Sequence, residues 1–206
     1  MESWSKYCPD YEMVEWNESN YDISKNRYMY EAYQNQKWGF VPDYARLDII
    51  YEHGGIYLDT YVELVKPLDD LLYQPAFAGI DGSKLISLGL GFGAEKGNSF
   101  IRELRDAYDS MRFVLENGQL NMTPAPRVQQ AIFKKYGYIC NGDYQIINNM
   151  TVYPEKVLSG KCSYTGRIEV TNHTYSIHHY DGSWLTEEIR NVLRKRAQFF
   201  EMMEEI

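Results

Sequence analysis

The run Pro42-Asp-Tyr-Ala-Arg-Leu-Asp-Ile-Ile-Tyr-Glu-His-Gly-Gly-Ile-Tyr-Leu-Asp constrains this chain more than any other segment. Proline suits the first turn of a helix, where the N–H it lacks would have no partner. Ala45, Leu47, Ile49 and Ile50 continue that helix, and Gly54-Gly55 end it. Ile56 to Leu58 then reads as a short buried strand. Asp59 stands at the carboxyl end of that strand, where open α/β sheets gather ligands. Asp43 and Arg46 lie three residues apart, so they share a helix face near its N-terminus. A carboxylate at the position of Asp59 can hold a hard divalent cation or a ribose hydroxyl. On spacing alone a plainer explanation stands beside this one: Asp43 as a helix-start residue, Gly54-Gly55 as a C-cap and Asp59 as a turn residue.

Around this core the chain alternates helix and strand. Arg27 to Lys37 is rich in helix-compatible residues, and Phe77 to Ile80 reads as a strand. The glycine-rich Leu88–Ala94 region is a strand or a close-packed loop; it lacks the strand–GxGxxG–helix context of a dinucleotide site. Ser99 to Leu115 and Arg127 to Tyr136 read as helices, Tyr144 to Tyr153 leans to β, and Tyr175 to His179 follows after turns. From Trp184 the chain reads as helix, with Ile189, Val192, Leu193, Phe200 and Met203 on one face. The pattern predicts an α/β domain with a mainly parallel or mixed sheet. There is no internal repeat or long linker, so 1–206 is expected to be a single domain.

Composition narrows the function. The formal charge of −8, from 29 acidic and 21 basic residues, disfavours nucleic acid as a partner. Nineteen tyrosines offer flat apolar faces with polar tips, which suit wet ligands such as sugars or fill half-buried positions. No apolar run reaches the ~20 residues that span a bilayer, and the first residues lack the layout of a secretory signal. Cys8, Cys140 and Cys162 form no CxxC, so neither a disulfide framework nor a structural zinc site is indicated, and a cytoplasmic location is expected. The basic stretch from Leu193 to Phe200 could touch an anionic membrane at its inner face, although a single apolar face favours docking against the domain.

Several ordered segments resemble one family. Asp43 and Arg46 three apart on a helix, then Gly54, Gly55, Tyr57 and Asp59, are similar to the nucleotide-sugar site of glycosyltransferases containing a DxD motif. That family includes capsular-polysaccharide transferases and initiating mannosyltransferases, and is similar to the catalytic domain of the large clostridial glucosylating toxins. Cys8-Pro-Asp-Tyr-Glu, Trp16-Asn-Glu-Ser-Asn-Tyr-Asp, Lys66-Pro-Leu-Asp-Asp-Leu-Leu, Tyr153-Pro and His178-His-Tyr-Asp-Gly-Ser-Trp extend the resemblance over nearly the whole chain.

The resemblance implies a GT-A (Rossmann-like) fold with a mixed sheet and retaining transfer of a hexose. The donor would be a UDP- or GDP-sugar, and the acceptor a glycan or lipid-linked molecule of polysaccharide synthesis. It assigns Arg46 and Asp59 to catalysis, and Asp43, Arg46, Tyr57, Asp59, Ser183 and Trp184 to the sugar nucleotide. Asp59 with His179 (or Asp181) would hold Mn²⁺ or Mg²⁺, whose charge neutralises the leaving diphosphate. His178 and His179 alternate faces on a strand, so only one of them can point at the site, and His179 is the expected one.

Three departures stand out. The second aspartate of the motif is Tyr61, and a phenol, with a reference pKa of about 10, is a poor ligand for Mg²⁺. Glu63, two residues on, is a substitute donor or a solvated carboxylate. The family's first strand is expected to be missing, because it would precede Ser3, and Pro42 stands where serine is common. A degenerate scaffold that binds sugar nucleotide or a partner without turnover is therefore the alternative. A weaker one reads Asp59 as the nucleophile of a dehalogenase-type phosphatase, a scheme that leaves Asp43, Arg46 and the glycines without a role.

Overall fold

A computed structural model of the protein describes residues 2–163, 165–180, 187–188, 190–192, 194–195 and 198. Six helices are described: α1 (Glu2–Tyr7), α2 (Arg27–Gln34), α3 (Pro42–His53), α4 (Ser99–Asp106), α5 (Ala125–Lys135) and α6 (Glu155–Leu158). The described strands are β1 (Gly55–Tyr57), β2 (Val62–Leu64), β3 (Ala76–Ile80), β4 (Ile86–Ala94), β5 (Gln145–Ile147), β6 (Met150–Tyr153) and β7 (Ser176–His178).

Five strands form one sheet in the order β1-β4-β3-β6-β5, and β2 pairs with β7 in a separate ribbon. Among the described residues only β3 and β6 of this sheet run parallel; the β1–β4, β3–β4 and β5–β6 pairs are antiparallel. The architecture is α/β with a mixed sheet, in keeping with a GT-A-like fold.

Strand β3 shows why the sheet needs cover on both faces. Successive side chains of a strand point to opposite sides. Ala76, Ala78 and Ile80 therefore join the larger core, with Tyr28 and Met29 of α2, Leu47 and Ile50 of α3, Phe100 and Leu104 of α4, and Phe133 of α5. Phe77 points the other way, into a smaller core with Cys8, Val62, Leu64, Leu71 and Leu158.

Local chemistry sets the element ends. Asn26 caps α2 by accepting from the Met29 N–H, and Asn98 caps α4 by accepting from Phe100 and Ile101. Asn148 and Asn149, with φ of 47° and 64°, make the two-residue turn that brings Ile147 opposite Met150. That turn splits the β-leaning Tyr144–Tyr153 stretch into β5 and β6.

Some expectations need correction. The helix expected over Ser99–Leu115 stops at Asp106 and gives way to turns over 107–111; beyond them the Glu31 carboxylate captures the backbone N–H groups of Phe113 and Val114, at 2.9 and 3.0 Å, and holds that end out of a helix. A tertiary bond thus overrides local helix propensity. The helix expected to reach Lys37 ends at Gln34, just before Gln36 takes a φ of 56°. The strand expected to be buried at Ile56–Leu58 is β1, which pairs with β4 at the sheet edge, and its Gly55 is exposed. In the expected C-terminal helix, Val192 is exposed, while Ile189, Leu193, Phe200 and Met203 lie outside the described residues. Among the described residues no helix is long and apolar enough to cross a membrane.

The reversal from α3 into β1 depends on Gly54. Its φ of 73° and ψ of −173° suit glycine, and its N–H closes the helix on the Ile50 carbonyl at 2.8 Å. A Cβ there would come within 2.8 Å of the Lys96 backbone nitrogen. Gly54→Ala is expected to destabilise the protein by about 1–3 kcal/mol, read as a lower midpoint in urea denaturation. An unchanged midpoint would contradict this account of the turn.

Candidate active site

Helix α3 turns Asp43 and Arg46 inward, where they are 5% and 6% exposed. Arg46 Nη2 donates to Asp43 Oδ1 at 3.0 Å, and its Nε donates to the Pro42 carbonyl at 2.9 Å. The guanidinium carbon lies 4.8 Å from the centre of the Tyr57 ring, a cation–π arrangement that joins α3 to β1. Gly89 of β4 makes room for it: a Cβ at that position would lie 3.1 Å from Arg46 Nη1. The other glycines of this strand have different neighbours, since a Cβ on Gly93 would strike the Phe77 ring and one on Gly91 would press on Leu58. The glycine-rich run is a strand, emptied of side chains where Arg46 and its neighbours pack close.

Asp59 completes the cluster. Its Oδ2 accepts from the Tyr57 hydroxyl at 3.3 Å and its Oδ1 from the Tyr61 N–H at 3.1 Å. Asp43, Arg46, Tyr57 and Asp59 are electrostatically coupled to one another. The structure therefore brings together four of the residues singled out in the sequence. Ser183, Trp184 and Asp181 lie outside the described residues.

The histidine at this site is His178 rather than His179. β2 and β7 pair so that Val62 faces His178 and Glu63 faces Ile177, which puts adjacent histidines on opposite sides of the ribbon. His178 lies within electrostatic reach of Asp59 and Arg46. His179 is exposed, and its Nε2 sits 2.9 Å from Glu63 Oε2. Strand alternation is legible in the sequence; the register that selects one histidine depends on pairing with β2, a partner more than a hundred residues away. The Tyr180 backbone N–H donates to His178 Nδ1 at 3.1 Å, so the neutral ring carries its proton on Nε2.

Two further side chains read in the sequence as ordinary core. Tyr28 and Tyr108 are fully buried and electrostatically coupled to Asp43, with ring centres 5.2 Å apart. They wall off the inner side of the carboxylate.

Burial dominates the titration of the site. It pushes the Asp43 carboxyl up to about 6, with Arg46 pulling back and Asp59 adding to the rise. Burial alone would lower the Arg46 pKa, but Tyr57, Asp43 and Asp59 outweigh it and hold the guanidinium charged. Burial pushes the Tyr57 phenol up, so it stays a neutral donor to Asp59. It pushes the His178 imidazole down to about 4, against the pull of Asp59. Near neutral pH the site thus holds an ionised Asp43, a charged Arg46 and a neutral His178.

These shifts carry opposite pH slopes. Asp43 binds its proton more tightly folded than unfolded, so it favours folding at low pH and withdraws that contribution as pH rises through about 6. His178 binds its proton less tightly when folded, so its contribution is lost as pH falls from about 6.5 towards about 4. Denaturation midpoints measured across that window should fall more steeply on acidification in Asp43→Asn than in the parent. In His178→Gln they should fall less steeply or rise. Parallel slopes in all three proteins would contradict the assignment.

Residues 1–78 match the family described as the glycosyltransferase sugar-binding region containing DXD motif. The matched segment includes Asp43, Arg46, Tyr57 and Asp59 and ends within β3. No curated protein matches the chain. Glycosyltransferases with this motif generally use a divalent metal. The donors seen here do not make a shell for one: Asp59 is the single carboxylate of the motif, Tyr61 supplies a phenol, and His178 presents a protonated nitrogen. Among the described residues no three His, Cys, Asp or Glu side chains group closely enough to hold a metal ion. The match covers the first 78 of 206 residues, and similarity to a glycosyltransferase sugar-binding region is what it shows for that segment.

Proposed function

We propose that the protein is a retaining hexosyltransferase of polysaccharide synthesis, with 1–206 as one catalytic domain acting in the cytoplasm or at the inner face of the membrane. Its donor is a UDP- or GDP-hexose and its acceptor a glycan or lipid-linked sugar. The observation that carries this reading is the continuous Asp43–Arg46–Tyr57–Asp59 cluster, in which two separate elements converge on one polar site.

The roles follow from the chemistry of each group. Asp43, ionised near neutral pH, and the Asp59 carboxyl oxygens accept hydrogen bonds from sugar and ribose hydroxyls, and Tyr57 keeps Asp59 oriented. Arg46 is already fixed by Asp43, the Pro42 carbonyl and the Tyr57 ring, so its charge is in place before the reaction. Charge positioned in advance stabilises a leaving diphosphate without reorganisation. The Nε2–H of His178 is a second donor for a diphosphate oxygen. In the reaction the bond from the anomeric carbon to the diphosphate oxygen breaks. The acceptor oxygen bonds that carbon on the same face, and the acceptor proton leaves with the diphosphate. Ser183 and Trp184 would close over that diphosphate, by resemblance to the family.

One observation favours a second reading, binding without turnover. Tyr61 stands at the motif's second aspartate, and no described side chain takes over as a third metal donor. Nucleoside diphosphate release from a panel of UDP- and GDP-hexoses, with and without Mn²⁺, separates the two. The transferase reading predicts release by the parent chain and a fall of about 10²-fold in Arg46→Lys. Turnover by Tyr61→Asp in Mn²⁺, with none by the parent, would establish the binding-only reading.

A further inference from the structure

A second cavity, of about 260 Å³, lies on the outer side of α3, away from the Asp43–Arg46 pair. Four aromatic rings line it: Trp16, Tyr21, Tyr33 and Trp38. Ala45 and Ile49 of α3 also line it, whereas Asp43 and Arg46 of the same helix point into the core. A helix body of roughly 10–12 Å therefore separates the two sites.

The aromatic walls are held in place. Trp16 packs on Tyr21 edge to face at 6.2 Å and against His53 at 5.1 Å. The Tyr21 hydroxyl donates to Asp48 at 2.8 Å, and Asp48 is paired in turn with Lys25 and Arg105. The Trp38 ring meets Tyr33 edge to face at 5.3 Å. Trp16 and Trp38 nevertheless stay 37% and 58% exposed, a costly use of the largest apolar side chains unless something covers them.

The polar groups decide what that ligand is. Among the described residues, the indole N–H groups of Trp16 and Trp38 and the Tyr33 hydroxyl have no hydrogen-bond partner within the protein, while Glu18 adds a carboxylate to the lining; the Asn17 side-chain oxygen is already taken by Ser19. No lysine or arginine lines the cavity, so a phosphate or nucleotide would find no counter-charge. A lipid tail would leave these donors and acceptors unpaired. A neutral pyranose meets both demands, with C–H faces for the rings and hydroxyls for the N–H, O–H and carboxylate groups. The volume is below the ~300–1,000 Å³ of drug-sized pockets, which suits one or two sugar rings.

We propose that the Trp16–Trp38 cavity is a carbohydrate-binding subsite for a neutral pyranose unit, separate from the nucleotide-sugar site. The ligand class stands on the cavity's own chemistry. Its role, anchoring a glycan acceptor while another part of that glycan reacts, rests on the transferase reading. The test is NMR titration of the full chain, following the tryptophan indole resonances, with maltotriose, cellotriose, chitotriose and mannotriose, and separately with UDP. Calorimetry of Trp16→Ala, Trp38→Ala and Arg46→Ala accompanies it, with thermal denaturation to confirm folding.

At least one trisaccharide should shift the indole signals saturably. Trp38→Ala and Trp16→Ala should each weaken that binding about tenfold or more without changing the response to UDP. Arg46→Ala should weaken UDP alone, so loss of the donor site and loss of this subsite are told apart. The proposal is overturned if no trisaccharide binds, if binding is unchanged in both tryptophan variants, or if phosphatidylglycerol vesicles rather than sugars shift these resonances.

Discussion

The site turns on the burial of the Arg46 guanidinium. An arginine that is 6% exposed needs its charge answered on every side. Asp43 supplies the counter-ion, the Pro42 carbonyl accepts from Nε, the Tyr57 ring offers its π face and Gly89 leaves the space. Those partners come from α3, β1 and β4, so one side chain ties the helix to the two strands beneath it. The arrangement also explains the cost accepted at Asp43, whose carboxyl is raised to about 6 by the same burial. A pair this enclosed is weak as a stabilising device, because desolvation offsets the attraction. Its value lies in holding a charge and an acceptor at fixed positions beside Asp59.

Much of this was legible in the sequence. Pro42, Gly54 and Gly55 mark the ends of α3 and the start of β1 by their own backbone restrictions, independent of the rest of the chain. The Asp43–Arg46 spacing places both residues on one helix face, and the carboxylate after the strand falls beside them. What the sequence did not disclose depends on distant partners. The ladder between β2 and β7 chooses His178 over His179, and it joins residues more than a hundred positions apart. Glu31 takes the amides of Phe113 and Val114, beyond the end of α4, and so holds that stretch out of a helix. Tyr28 and Tyr108 look like core tyrosines until their closeness to Asp43 is seen.

The glycine-rich strand shows both sides of this. A run of alternating glycines leaves open whether a ligand or a neighbouring side chain occupies the space. In the fold, Gly89 yields to Arg46, Gly91 to Leu58 and Gly93 to Phe77. The protein fills its own clearance, and only the first of these serves the polar cluster. Aromatic residues divide in a similar way: Tyr57 and Tyr108 border that cluster, whereas Trp16 and Trp38 line a separate cavity across α3.

The most direct check is crystallographic: the protein soaked with UDP or GDP, with the bound ligand located by its phosphorus-bearing density. The account predicts a nucleotide whose ribose and diphosphate lie within hydrogen-bond distance of Asp59, Arg46 and His178. A nucleotide bound elsewhere on the molecule, with those three side chains facing only solvent or protein, would contradict it.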